Sequence, residues 1–90
     1  MSYSLIGKRV RVFLYNAGGQ MIGTVEGRVA DFAAHVQVAG DTHKDLIFVV
    51  DIETPDGDVY KNAVGTEGES WFAVHDVEVI DEDQPRLFAN

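Results

Sequence analysis

Apolar and polar residues alternate with a period of two along much of this chain. Val10, Val12 and Leu14 alternate with Arg9, Arg11, Phe13 and Tyr15, the spacing that places successive side chains on opposite faces of a half-buried strand. Asn16-Ala17-Gly18-Gly19 interrupts the pattern with residues that accept positive φ. The pattern resumes over residues 20–30 in Met21, Ile22, Val25 and Val29, so the first two strands form a hairpin. Gly23 and Gly27 fall inside the second strand, as expected where a strand bulges or bends sharply against another backbone.

Beyond Asp31-Phe32-Ala33-Ala34, residues 35–39 set Val36 and Val38 against His35 and Gln37, which predicts a third strand. The polar stretch 40–45 reads as a loop. Leu46-Ile47-Phe48-Val49-Val50 is continuously apolar and rich in β-branching, the signature of a strand covered on both sides. Thr54-Pro55-Asp56-Gly57-Asp58 is the clearest turn in the chain, with proline presetting φ and glycine accepting the left-handed position; it predicts a projecting middle hairpin. Residues 64–70 read as a loop, and residues 71–74 and 77–80 as two short strands about a His75-Asp76 corner. Asp81, Glu82 and Asp83 precede Pro85, so residues 81–90 are expected to form a solvated acidic tail after a domain spanning 1–80. No helix longer than a turn or two is expected.

Ninety residues, 46% of them apolar and 24% charged, suffice for one small core and no second catalytic lobe. No window approaches the roughly 18 apolar residues of a membrane span. The first residues lack a long apolar run behind a basic stretch, so no secretory signal is read and a cytoplasmic location is expected. The absence of cysteine removes disulfides and thiolate chemistry, leaving good packing or self-association to offset small size. Net charge is −8 but unevenly spread: residues 1–28 carry a local +3, and the remainder carries −11. Such a balance opposes non-specific grip on a phosphate backbone, which depends on cations displacing counterions.

The stretch Gly27-Arg28-Val29-Ala30-Asp31-Phe32-Ala33-Ala34-His35-Val36-Gln37-Val38 resembles the first motif of the Sm and Sm-like proteins, which joins the second and third strands of their barrel. Gly27, Val29, Phe32, His35, Val36 and Val38 fit the motif, whereas Ala33 replaces the family's aspartate and Gln37 its asparagine. Residues 72–80 echo the second motif without its Arg-Gly, and His75 takes that corner. The resemblance implies an all-β fold: a small, strongly bent, five-stranded antiparallel barrel of Sm-like or SH3-like form, here with an extended middle hairpin. It further implies a homo-oligomeric ring in which the fourth strand of one subunit pairs with the fifth of the next. His35 would stack on a nucleobase, Gln37 would hydrogen-bond its edge, and His75 would stand in for the family's cation. Single-stranded RNA suits such a site, because unpaired bases expose both faces and edges.

Each residue also has a plainer role. His35 and Gln37 suit the outer face of a half-buried strand, and His75 suits a corner hydrogen-bonded to its surroundings. His43 reads as an ordinary loop residue. Lys8, Arg9 and Arg11 form either a basic patch or ion pairs with neighbouring acids. Ser70, His75 and Asp76 supply the residue types of a nucleophilic triad but no oxyanion site, so no catalysis is expected. Asp51, Glu53, Asp56 and Asp58 lack EF-hand spacing and suit a solvated hairpin, so no metal is expected. Neither cofactor, membrane nor small-molecule substrate is called for. A second reading, from a different class, is an acidic structural or protein-interaction barrel that binds no nucleic acid. Divergent Sm-like barrels also occur in phage genomes, which leaves a phage origin open.

Overall fold

The computed structural model describes residues 5–80; the expected tail at residues 81–90 lies outside them. Five strands follow in order: β1 (Arg9–Tyr15), β2 (Met21–Ala39), β3 (Thr42–Glu53), β4 (Ser70–Ala73) and β5 (Val77–Ile80). They form one antiparallel sheet in the order β4-β3-β2-β1-β5. A single-turn 3-10 helix, Val74–Asp76, joins β4 to β5.

That connection dictates the shape. β4 and β5 are the two edges of the sheet, which in a flat sheet would lie about four strand spacings, or roughly 19 Å, apart. Three residues of 3-10 helix rise only about 6 Å. The sheet must therefore curl until its edges approach one another, and it does so without closing, since no ladder joins β4 to β5. The concave side holds the core. Val10 and Val12 of β1, Val25, Val29 and Phe32 of β2, and Ile47, Val49 and Ile52 of β3 are each no more than 8% exposed. Leu5, Leu14, Tyr60, Phe72, Val74 and Val77 pack around them.

The 19-residue β2 departs most from expectation. Residues 35–39 are its distal end and not a separate strand. Val25, Gly27 and Val29 are buried at intervals of two, but the next buried position is Phe32, three residues on, because the register against β3 shifts between Val29 and Asp31. A bulge there inserts one residue and moves the alternation to the other parity. The segment 31–34 thus looks like a break in sequence while the backbone runs on. β3 likewise starts earlier than expected, at Thr42, because Gly40 at φ +52 and Asp41 turn the chain in two residues.

Gly27 is set by close approach. A Cβ at this position would lie 2.6 Å from Val49 Cγ1 and 2.7 Å from Val50 O, where the register shifts opposite Asp51, itself at φ +53. Gly23 has nothing within 4 Å of such an atom.

The middle region, residues 54–69, is two compact turns and not an extended hairpin. Thr54 and Asn62 hold them through their side chains, and the strand-like pairing amounts to two isolated bridges, Glu53 with Val59 and Lys61 with Glu67. Tyr60 N–H donates to Ile52 O at 3.0 Å, folding the first turn back so that the Tyr60 ring meets Phe72, centroids 6.3 Å apart. The continuously apolar run 46–50 buries Ile47 and Val49 but leaves Leu46, Phe48 and Val50 half-buried on the convex side. There Phe48 packs against Trp71 of β4, centroids 5.1 Å apart, and Trp71 remains 44% exposed. No helix is long and apolar enough to cross a membrane among the described residues.

Candidate functional site

Sheet register assembles a site that draws on distant parts of the chain. Ala33 of β2 pairs with Leu46 of β3, and Leu46 pairs in turn with Ala73 of β4. Immediately past this row come Ala34 and His35 on β2, Asp45 and Lys44 on β3, and the 3-10 turn that follows β4. The result is an open pocket of about 390 Å³ lined by His35, His43, Lys44, Asp45, Val74 and His75.

His35 owes its position to a bulge. Between Ala33↔Leu46 and Val36↔Lys44 the register slips, so Ala34 and His35 face Asp45 alone. His35 adopts φ +57, a left-handed conformation uncommon outside glycine and tolerated best by asparagine, aspartate and histidine. Its N–H, displaced from the ladder, donates to Asp45 Oδ1 at 3.0 Å. The Asp45 side chain thereby positions the His35 backbone while also lining the pocket.

The other two imidazoles are oriented by oxygen acceptors. His43 Nδ1 lies 3.1 Å from Asp41 O; a carbonyl only accepts, so the ring carries its proton on Nδ1 and leaves Nε2 as the spare nitrogen. His75 Nε2 lies 3.4 Å from Asp76 Oδ1, which leaves Nδ1 spare. The His35 and His43 rings meet edge to face with centroids 5.9 Å apart. All three histidines are exposed.

Of the three residues singled out in sequence, His35 and His75 meet in this pocket. Gln37 does not line it: Gln37 pairs with His43 across the ladder and its Nε2 donates to Gly40 O, bracing the hairpin turn. His43, read as an ordinary loop residue, is part of the pocket. Nothing local marks it; only the β2–β3 register carries it there. Residues 27–38, the stretch resembling a strand-connecting motif, lie wholly within β2.

The arginines of β1 are engaged elsewhere. Glu26 accepts from Arg9 Nη2 and from Arg11 Nη2, both at 3.2 Å, and Arg11 Nη1 donates to Glu78 Oε1 at 3.2 Å. Arg11 stands opposite Glu26 in one ladder and opposite Glu78 in the other, so the strand pairing itself neutralises this face. Ser70 is not among the residues that line the pocket with His75. Among the described residues no group of three or more His, Asp or Glu is arranged to hold a metal ion.

Fold and site together define an all-β domain built on one curled, open five-stranded sheet, with a histidine-lined pocket at the end of its longest hairpin. Comparison with known protein families, with characterised proteins and with solved structures finds no match for the chain.

Proposed function

We propose that this chain is an Sm-like barrel that assembles into a homo-oligomeric ring and binds single-stranded nucleic acid, RNA in particular, without catalysis. The observation that carries the reading is the convergence of His35 and His75. They lie on separate elements, β2 and the turn before β5, and the register row through Ala33, Leu46 and Ala73 brings them into one pocket. Flat, exposed imidazoles beside Lys44 suit an unpaired base and its backbone. Gln37 would serve a base edge only after its amide left Gly40 O.

The ring is supported by β4 and β5 standing at opposite edges of the sheet. Each presents unpaired backbone groups that the other could satisfy in a neighbouring copy, a head-to-tail contact that closes into a ring. Trp71 on β4 and Val79 on β5, 44% and 45% exposed, would be covered in such a contact. Pairing copies would also complete the barrel wall that one copy leaves open.

Two measurements test the proposal. Light scattering should report several protomers for the parent and fewer for the Trp71→Lys, Val79→Lys double variant; a monodisperse monomer across dilution removes the ring. Fluorescence anisotropy with labelled oligo-uridine and oligo-adenine should show binding that weakens in His35→Ala and His75→Ala. Undetectable binding favours the acidic structural barrel, the reading to which the pairing of Arg9 and Arg11 with Glu26 and Glu78 lends weight.

A further inference from the structure

We propose that the pocket between the β2–β3 hairpin and the 3-10 turn is a phosphate-binding subsite whose charge reverses when its histidines are protonated. The inference rests on the reading of this pocket as the nucleic-acid site and adds what the pocket recognises and when.

The groups facing the pocket come from every element around it. β2 brings His35; β3 brings His43, Lys44 and Asp45; the 3-10 turn brings His75, with Asp76 held against it. With neutral imidazoles, Lys44 stands alone against Asp45 and Asp76, and the site is negative by one charge. With three imidazolium ions it is positive by two. The whole chain carries −8, so in the first state neither the site nor its surroundings attracts phosphate.

Hydrogen-bond chemistry turns over in the same step. Asp41 O fixes the proton of neutral His43 on Nδ1, and the Asp76 carboxylate 3.4 Å from His75 Nε2 favours the proton of His75 on that nitrogen. The spare nitrogens, His43 Nε2 and His75 Nδ1, are then acceptors and repel phosphate oxygens. Protonation converts both into charged donors, which make the short, strong bonds that phosphate favours. Because the imidazolium ions repel one another, a bound anion promotes their formation, and protonation promotes anion binding to the same extent. Histidine as a residue type changes charge between about pH 5 and 8. Each proton that binding requires makes affinity fall as the pH rises.

The test uses the intact protein and three probes: inorganic phosphate, uridine and hexauridylate. At pH 5.5, phosphate should shift the imidazole NMR signals of His35, His43 and His75, and titration calorimetry in two buffers of different ionisation enthalpy should report proton uptake. Affinity for phosphate and for hexauridylate should fall at least tenfold at pH 7.5, although inorganic phosphate gains charge over that interval. His43→Ala and His75→Ala should flatten the pH dependence, and Lys44→Ala should weaken binding at both pH values. Phosphate that leaves the three imidazoles unmoved at pH 5.5, or equal affinity at both pH values, overturns the proposal. Pocket binding by hexauridylate that is indifferent to pH and competed by uridine overturns it while sparing the RNA reading. Phosphate binding with the expected pH dependence but no added affinity for hexauridylate supports the subsite and sinks the RNA reading.

Discussion

Replacing Gly27 by alanine tests whether the bend of β2 over β3 rests on the absence of a single atom. The new Cβ would fall 2.6 Å from Val49 Cγ1, 2.7 Å from Val50 O and 3.1 Å from Ile52 Cγ1. Val49 and Ile52 are core residues at 0% and 1% exposure, and a carbonyl oxygen in the neighbouring strand is no flexible side-chain end, so the added methyl displaces backbone. Overpacking of this kind costs about 1–3 kcal/mol. Against it stands the usual gain from replacing glycine inside a strand, about 0.5–1 kcal/mol. Because one of the two closest contacts is a backbone oxygen, the upper end of the first range applies and a net loss of about 2 kcal/mol is expected, a large share of the roughly 5–13 kcal/mol that stabilises a domain of this length. Melting should fall by roughly 8–16 °C. Gly23→Ala is the internal control, because Gly23 occupies the same strand with nothing within 4 Å of its virtual Cβ, and there only the gain remains. Thermal unfolding followed by circular dichroism decides the matter. If Gly27→Ala melts within about 3 °C of the parent, or Gly23→Ala falls as far, the close approach does not hold the bend.

Four shorter tests follow. His35→Gly removes the left-handed strain at φ +57, so stability should hold or rise by up to about 1 kcal/mol while RNA affinity falls about 5- to 150-fold with the loss of a stacking plane; equal affinity would remove His35 from the site. Asp45→Ala removes one of the two carboxylates that face the pocket and should strengthen phosphate and RNA binding with melting little changed, read by the same anisotropy assay beside a thermal scan; weaker binding would show that holding the His35 amide at 3.0 Å outweighs the charge. Ile47→Ala empties a wholly buried position and should lower stability by about 2–5 kcal/mol in chemical denaturation. Arg11→Ala breaks two ion pairs whose side chains are 37–54% exposed and should cost about 1 kcal/mol or less, diminishing with salt.

The alternation of the chain carried the strands, since a half-buried strand needs little more than period-two spacing. Val10 and Val12 in β1 were legible for that reason; the strand at residues 46–50 was legible instead from its unbroken apolar run, which did not reveal that only Ile47 and Val49 of it are buried, and the short β5 and the corner at His75-Asp76, observed as the 3-10 turn, were legible as well. Legibility failed where the period slipped. At Val29–Asp31 and again at Ala33–Val36 the register shifts, and an inserted residue resembles a strand end because both break the alternation. Only the partner strand distinguishes them, by continuing to pair. The left-handed backbone at His35 and Asp51 carries no glycine to announce it.

The candidate site divides along the same line. His35 and His75 could be singled out by residue type and position, but that they meet depends on Leu46 pairing with Ala33 on one side and Ala73 on the other. His43 enters the pocket through the turn at Gly40-Asp41, which sets its distance from His35 and from the Asp41 carbonyl. Charge shows the limit most plainly: the sequence determines that Arg9 and Arg11 are present, and ladder register alone decides that Glu26 and Glu78 neutralise them. Local composition specifies which residues prefer a strand. Which residues become neighbours follows from how the sheet curls, and that is a property of long-range packing with no local signature.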